Sequence, residues 1–472
     1  MIPSEIFCTL WTTIPEKQVT TPSIKDRIRQ EPDLFLRIAQ SSMTVAASVR
    51  KNFLDNTLDF AELLREQIKK GEMDGLVIHE SDLKLGKEQI TTCFIDGGVG
   101  EAEIFFRVPL IVRGGIFRIK EGEHDLQRRE TFEFFPVLIG NLEGGEKGRH
   151  DYSTVVRIII ELCSILRVLS EEKYKDVSLI MLHGPLLYRL SAYSPHWFYK
   201  KDIDVMTEGA DELIQQFEES FRDCPVVFGG QHHCWCYNHR SDNTLKANCF
   251  ISFLLNMVIL VAQKRGVDLI GVVERAEATE ITHNIMVKAL KSDSGVTEKF
   301  LGRPLRNYEA DAEQIIRSTN YNDSFLFSLI LNPGEYISFY DAKDRYSGFV
   351  GELADFEKKL PLISYTYLKP VQNALAIRVE FPTLQVPSAR IRALCKTYEY
   401  SRLLPNYAFP VGLDIADKFA KVPAWMVEAY KKYVLFNFGR LAIDQQLNQE
   451  ELERVLLFYY LHQREFNLRP KA

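Results

Sequence analysis

Thr92-Cys93-Phe94-Ile95-Asp96-Gly97-Gly98 is the stretch on which the fold turns. Its first four residues are β-prone and run straight into a carboxylate, so it reads as a short strand ending at Asp96. The two glycines then allow the backbone to turn sharply. An aspartate so placed stands uncrowded at the carboxyl edge of a sheet, where a divalent ion and its water fit. A second apolar run, Val177-Ser178-Leu179-Ile180-Met181-Leu182, closes in the same manner with His183-Gly184-Pro185-Leu186. Alone, Asp-Gly-Gly more often caps a turn. Two strand ends, each carrying a metal-competent side chain before a glycine, predict one shared site.

Working outward, further strands are expected at 91–96, 103–111, 115–119 (after Gly114-Gly115) and 132–139. Short connections between them indicate an antiparallel meander. A helix from Tyr152 to about Ser170 then feeds the 177–182 strand, and a helix over 248–265 feeds a strand at 268–273. Another strand is expected at 374–380. A meander followed by alternating helices and strands predicts an α/β fold, a mixed sheet flanked by helices. The flanks read as helical too. Residues 33–70 show an apolar face at Leu54, Leu58, Leu63, Leu64 and Ile68. The tail from Val422 does the same with Trp425, Val427, Tyr430, Tyr433, Val434 and Phe438. No internal repeat is found.

With 472 residues, 46% hydrophobic and 11% aromatic, the chain can bury a sizeable core and has no disordered or low-complexity character. The net charge of −6 argues against general coating of nucleic acid, while leaving room for a local basic channel. Eight cysteines are scattered through apolar segments, the pattern of reduced thiols in a cytoplasmic protein. The N-terminus has no signal-peptide pattern. The longest apolar run, Cys249 to Ala262, is too short to span a bilayer and reads as a buried helix, so no membrane is expected.

Glu161 sits in the apolar helix stretch Val155 to Leu162, where an unpaired carboxylate is costly; a metal, Arg157 or Arg167 would be its partner. Asp414 reads as a first-turn helix carboxylate. Asp417, one turn later, can point toward the sheet edge. His232, Cys234 and Cys236 raise a structural zinc site, but Cys-x-Cys with a solitary later cysteine is poor zinc spacing and argues against it. Phosphate-cradling Gly-x-x-x-x-Gly-Lys-Ser/Thr, nucleophile-elbow Gly-x-Ser-x-Gly and zinc-binding His-Glu-x-x-His patterns are all absent.

In order along the chain, several pieces resemble the NurA family of DNA-end-processing nucleases. They are Phe94 to Gly98, Val108 to Gly115, the helix bearing Glu161, Leu182 to Leu186, Leu269 to Arg275, Ile377 to Pro382, and Phe409 to Asp417. The resemblance spans about 88–422, with a mainly helical segment at 1–87 and a helical extension at 423–472. It implies an RNase H-like core, DNA cleavage with Mn2+ or Mg2+, a homodimer, and a hexameric HerA-type ATPase as partner. The biological setting would be DNA end processing or defence against foreign DNA.

Carried onto this chain, the resemblance implies a metal and catalytic site of Asp96, Glu161, His183 and Asp417, with Asp96 central. Arg113, Arg378 and Tyr407 become DNA-contacting candidates; for Arg378, a core ion pair with Glu380 is the competing reading. Three positions depart from the family pattern: His183 replaces an aspartate, Glu274 a lysine and Asp417 a histidine. Three carboxylates and one imidazole remain, a set suited to manganese. Loss of the lysine supports a competing expectation, a catalytically degenerate structural or regulatory subunit. Arg275 is next to Glu274, but neighbours on a strand face opposite ways, so no substitute cation is evident there.

Overall fold

The computed structural model describes residues 29–457 except 30, 51–55, 74, 80–82, 84–88, 103–108, 140–145, 189–195, 221–224, 229–230, 235–236, 239–240, 343–359, 406, 445–447 and 455–456. His232, Cys234 and Cys236, weighed above for zinc, fall outside the side chains it describes.

Strands β1 (Thr91–Glu101), β2 (Leu110–Lys120) and β3 (Glu130–Ile139) form an antiparallel meander. Helix α1 (Glu146–Ser170) crosses to β4 (Val177–His183), which pairs parallel with β1. Helix α2 (Ala247–Arg265) leads to β5 (Asp268–Val273), parallel to β4. Strands β6 (Ile363–Leu368) and β7 (Ile377–Pro382) are antiparallel to each other, and β7 runs antiparallel to β5. Across the ten-stranded sheet the order is Ile78–His79, Tyr336–Ile337, β6, β7, β5, β4, β1, β2, β3, with Tyr340–Asp341 pairing β6. This is the mixed α/β sheet expected, and the β3-β2-β1-β4-β5 portion is compatible with an RNase H-like core.

Period-two alternation divides the strand side chains between two cores. On β1, Cys93 and Ile95 join the larger core, whereas Phe94 joins the smaller. The larger is covered by α1, α2 and the helices Glu280–Ser292, Tyr308–Thr319 and Asp323–Ile330. The smaller lies under α3 (Pro387–Tyr400) and α4 (Val411–Ala420). Helix α2 is apolar over most of its circumference, and such a helix belongs largely inside. It is the one described helix long and apolar enough to cross a membrane, and most of it is buried against the sheet and α1.

Several boundaries differ from expectation, each for a physical reason. Gly97 and Gly98 do not turn the chain; β1 continues through them to Glu101. They serve close approach instead. A Cβ on Gly97 would stand 2.8 Å from Glu161 Cγ of α1, and one on Gly98 would overlap the Ala420 carbonyl at the end of α4. On β2, Gly114, opposite Gly97, lies against Ser164 of α1, and Gly115, opposite Asp96, lies against Ala420. Helices thus press onto both faces of a bare patch of sheet. For the same reason the strand expected from 115 begins at Leu110 and runs through its glycines; 103–108 lies outside the described residues.

The N-terminal helical stretch is two helices, Pro32–Arg50 and Asp59–Lys69. In the second, Phe60, Ala61, Leu64 and Ile68 form the buried stripe; Leu63 is exposed and Leu54 lies outside the description. Helix α5 (Ala424–Asp444) confirms the C-terminal helix, but Trp425, Tyr433 and Phe436 face outward.

Candidate metal centre

Asp96 occupies β1 one residue beyond Ile95, which is paired with Leu182 of the parallel strand β4. Asp96 and His183 are therefore neighbours across the ladder. By alternation both lean to the α4 side, as Phe94 and Met181 do. Phe409-Pro410 starts α4 with proline at the N-cap, and the helix lies across β1 and β2. Asp417 comes down beside Asp96 and the end of β4. One ligand atom each from Asp96, His183 and Asp417 lies within 4.8 Å of the others.

The trio is held in place before any ion is considered. Asp96 is 3% exposed; its Oδ1 accepts the Gly97 N–H at 2.8 Å and its Oδ2 lies 3.1 Å from His183 Nδ1. The imidazole packs on Phe409 with centroids 5.2 Å apart. Burial opposes charge on His183, yet the hydrogen bond to Asp96 and the charges of Asp96, Asp417 and Glu161 prevail and raise its pKa. Asp417 is paired with Lys421 one helical turn later.

Glu161 arrives from the opposite face, over the bare Gly97. It stands outside the 4.8 Å trio but lines the same cavity. It is 2% exposed, surrounded by the buried Val155, Ile158, Ile160 and Leu162. Burial pushes its pKa up to about 8, with the Arg157 charge opposing and Asp96 reinforcing. Tyr188 donates to Oε2 at 3.4 Å and Arg157 Nε lies 3.8 Å from Oε1, but Oε1 accepts no hydrogen bond. A buried carboxylate oxygen without a donor, beside two carboxylates and an imidazole, fits a hard divalent cation.

Two cavities meet at the trio. One, of about 550 Å3, is lined by Asp96, Arg157, Glu161, His183, Tyr188 and Asp417, among others. The second, of about 420 Å3, shares His183 and Asp417 and adds Tyr407, Phe409 and Asp414. Glu274 and Arg275 line both. The expectation that these two face opposite ways is corrected: β5 ends at Val273, so strand alternation no longer applies, and Arg275 Nε lies 4.0 Å from Glu274 Oε1.

Tyr407 lines the second cavity and is hydrogen-bonded to Asp414; burial, then Asp414, pushes its hydroxyl up to about 12. Arg378 is 2% exposed, its Nε 2.7 Å from Glu380 Oε1 and its guanidinium stacked 3.8 Å over Tyr365. Its counter-charge is thus supplied from within the core, although both Arg378 and Glu380 also line the first cavity. Arg113 lines neither cavity. Its guanidinium covers Phe134 at 4.2 Å and donates to the Lys421 carbonyl at 3.3 Å. Lys421 was not read from the sequence; the i, i+4 spacing to Asp417 was the available signal. Tyr188, in the turn after β4, carried no signal.

Among known proteins, the NurA domain pattern matches residues 90–422. No curated protein matches. The NurA nuclease from Sulfolobus solfataricus is a solved structure similar to this one, with 11% identity and a TM-score of 0.45 over 86% of this chain and 98% of that one. A NurA bound to dAMP and manganese is more distant, with 10% identity and a TM-score of 0.35 over 81% and 94%. The domain match covers well over half of the 472 residues, and the chain belongs to the NurA family.

Proposed function

We propose that this protein is a metal-dependent deoxyribonuclease that hydrolyses phosphodiester bonds in the groove above Asp96. The observation that carries this reading is the convergence of Asp96, His183 and Asp417 from two adjacent strands and a helix, with the buried Glu161 beside them. Carboxylates brought so close repel unless a cation sits between them.

Asp96, His183 and Asp417 would hold Mn2+ or Mg2+, with Glu161 turning Oε1, which accepts no hydrogen bond, to the same centre. When bound, such an ion polarises the phosphate and lowers the pKa of its water. The chain's own residues do the rest. The hydrogen bond from Gly97 N–H and the contact with His183 fix the orientation of Asp96. Phe409 fixes the imidazole plane. Arg157 and Arg275, at the cavity walls, can contact backbone phosphates, since guanidinium pairs bidentately with them. Tyr407 and Phe409 give the second cavity an aromatic wall against which a base can stack.

Family membership supports action as a homodimer with a hexameric HerA-type ATPase, in DNA end processing or defence against foreign DNA. The acidic net charge of −6 suits an enzyme whose partner supplies the electrostatic grip on DNA. One observation favours a second reading, a non-cutting subunit of the same complex: Glu274 places a carboxylate in the groove a polyanion must enter.

The test is Mn2+-dependent cleavage of labelled DNA by the purified protein, alone and with its cognate ATPase, beside Asp96→Asn. Cleavage lost in the variant, with an unchanged unfolding temperature, is the expected result. Cutting at wild-type rate by Asp96→Asn would reject the site. Failure of the wild-type protein to bind Mn2+ at all would favour the non-cutting reading.

A further inference from the structure

Lys421 stands at the C-terminal cap of α4, and its ammonium is paired with Asp417, one of the three clustered donors. Its backbone is fixed. The missing Cβ of Gly98 lets the Ala420 carbonyl and the Lys421 Cα lie directly on β1, the Lys421 N–H bonds the Asp417 carbonyl at 3.0 Å, and Arg113 holds the Lys421 carbonyl. The side chain, by contrast, is 68% exposed, so its head can swing on a long flexible stem. Its neighbour Lys418 pairs with Asp414 at the same i, i+4 spacing, but Asp414 is not one of the clustered donors.

Two cations cannot share one small carboxylate cluster without repulsion, and a divalent ion draws the carboxylate harder than an ammonium. We propose that Lys421 is the built-in counter-ion of this centre: it holds Asp417 while no metal is bound, yields it when a divalent cation arrives, and then turns to a phosphate of the DNA backbone. The proposal rests on the metal-dependent nuclease reading above. It supplies a mobile positive charge from the helix cap at a groove whose β5 side carries Glu274.

The experiment is calorimetric titration of Mn2+ into the full-length protein and into Lys421→Met, Lys421→Arg and Lys418→Met. Lys421→Met is expected to bind Mn2+ about tenfold more tightly, because the competing cation is gone. It should bind a phosphorothioate-protected oligonucleotide several-fold more weakly at saturating Mn2+, by fluorescence anisotropy. Lys421→Arg should restore the oligonucleotide affinity, and Lys418→Met should leave Mn2+ binding unchanged. A merely structural lysine would not shift the two affinities in opposite directions. Unchanged or weaker Mn2+ binding by Lys421→Met, with thermal unfolding showing it folded, overturns the proposal. So does unchanged oligonucleotide binding. Asp417→Asn separates the two levels: if it leaves Mn2+ binding intact, the metal centre itself is wrong, and if it abolishes binding while Lys421→Met has no effect, only the role of Lys421 fails.

Discussion

Gly98 and Ala420 meet where there is room for a hydrogen but not for a methyl group: the end of α4 lies directly on β1. That contact sets how far Asp417 descends toward Asp96 and His183. Gly98→Ala must push the helix end away. Overpacking of this kind costs about 1–3 kcal/mol, and it should also weaken Mn2+ binding as the three donors separate. Denaturant unfolding and Mn2+ titration measure both, and wild-type values for the pair would contradict this account of the glycine.

Glu161 should make stability of the metal-free protein depend on pH. Its native pKa of about 8 lies above the ordinary 4.5, so the fold favours the protonated carboxyl. Its contribution is complete below the unfolded value, declines from about pH 4.5 upward, and is gone once the pH has risen through about 8. Glu161→Gln, neutral throughout, should lack that part of the decline, a difference on the order of a few kcal/mol between the two ends of the window. Unfolding midpoints at pH 5 and 8.5 are the measurement. Manganese affinity should move oppositely in the wild type, rising with pH, because the ligand must be deprotonated.

Arg378 should prove structural. Arg378→Met leaves Glu380 buried and uncompensated, and breaking a buried pair costs about 3–5 kcal/mol. Glu380 Oε2 also accepts the Leu187 N–H at 2.6 Å, so the turn after β4 should loosen as well. The loss should be nearly independent of salt. A stable variant with weakened, salt-sensitive DNA binding would instead return Arg378 to the phosphate contacts.

Glu274→Gln should tighten DNA binding about two- to fivefold at low ionic strength, because it removes a like charge from the groove. Arg275→Ala should weaken it by a similar factor. Both effects should fade at high salt, and titrations of labelled oligonucleotide at two ionic strengths would reveal their absence.

Much of the fold could be read from local pattern. Strand Asp268–Val273 and the mostly apolar α2 carry strong apolar runs, and each lies where its run put it. His183 was legible as a strand-end side chain before a glycine; Asp96 was singled out in the same way although its strand runs on to Glu101, and Asp417 joined the set through the family resemblance. What local pattern cannot express is who approaches from outside the strand. Gly97 and Gly98 read as a turn because a turn is the commonest local use of a glycine pair; here α1 and α4 demand the space. Glu161 was legible as a costly buried carboxylate, but not as one arriving from the other face of the sheet. Arg275 was misjudged because a strand boundary at Val273 suspends alternation two residues later. Lys421 went unseen because an i, i+4 ion pair on a helix is usually only surface decoration.

Asp96 and Asp417 lie near opposite ends of the matched segment 90–422, while β1 and β4 are laid down in its first third. A polypeptide still emerging from the ribosome can therefore bring together Asp96 and His183 but lacks the third donor until α4 has been made and docked. Assembly of the ion seat is tied to completion of the domain, so truncated products carry no full set of donors.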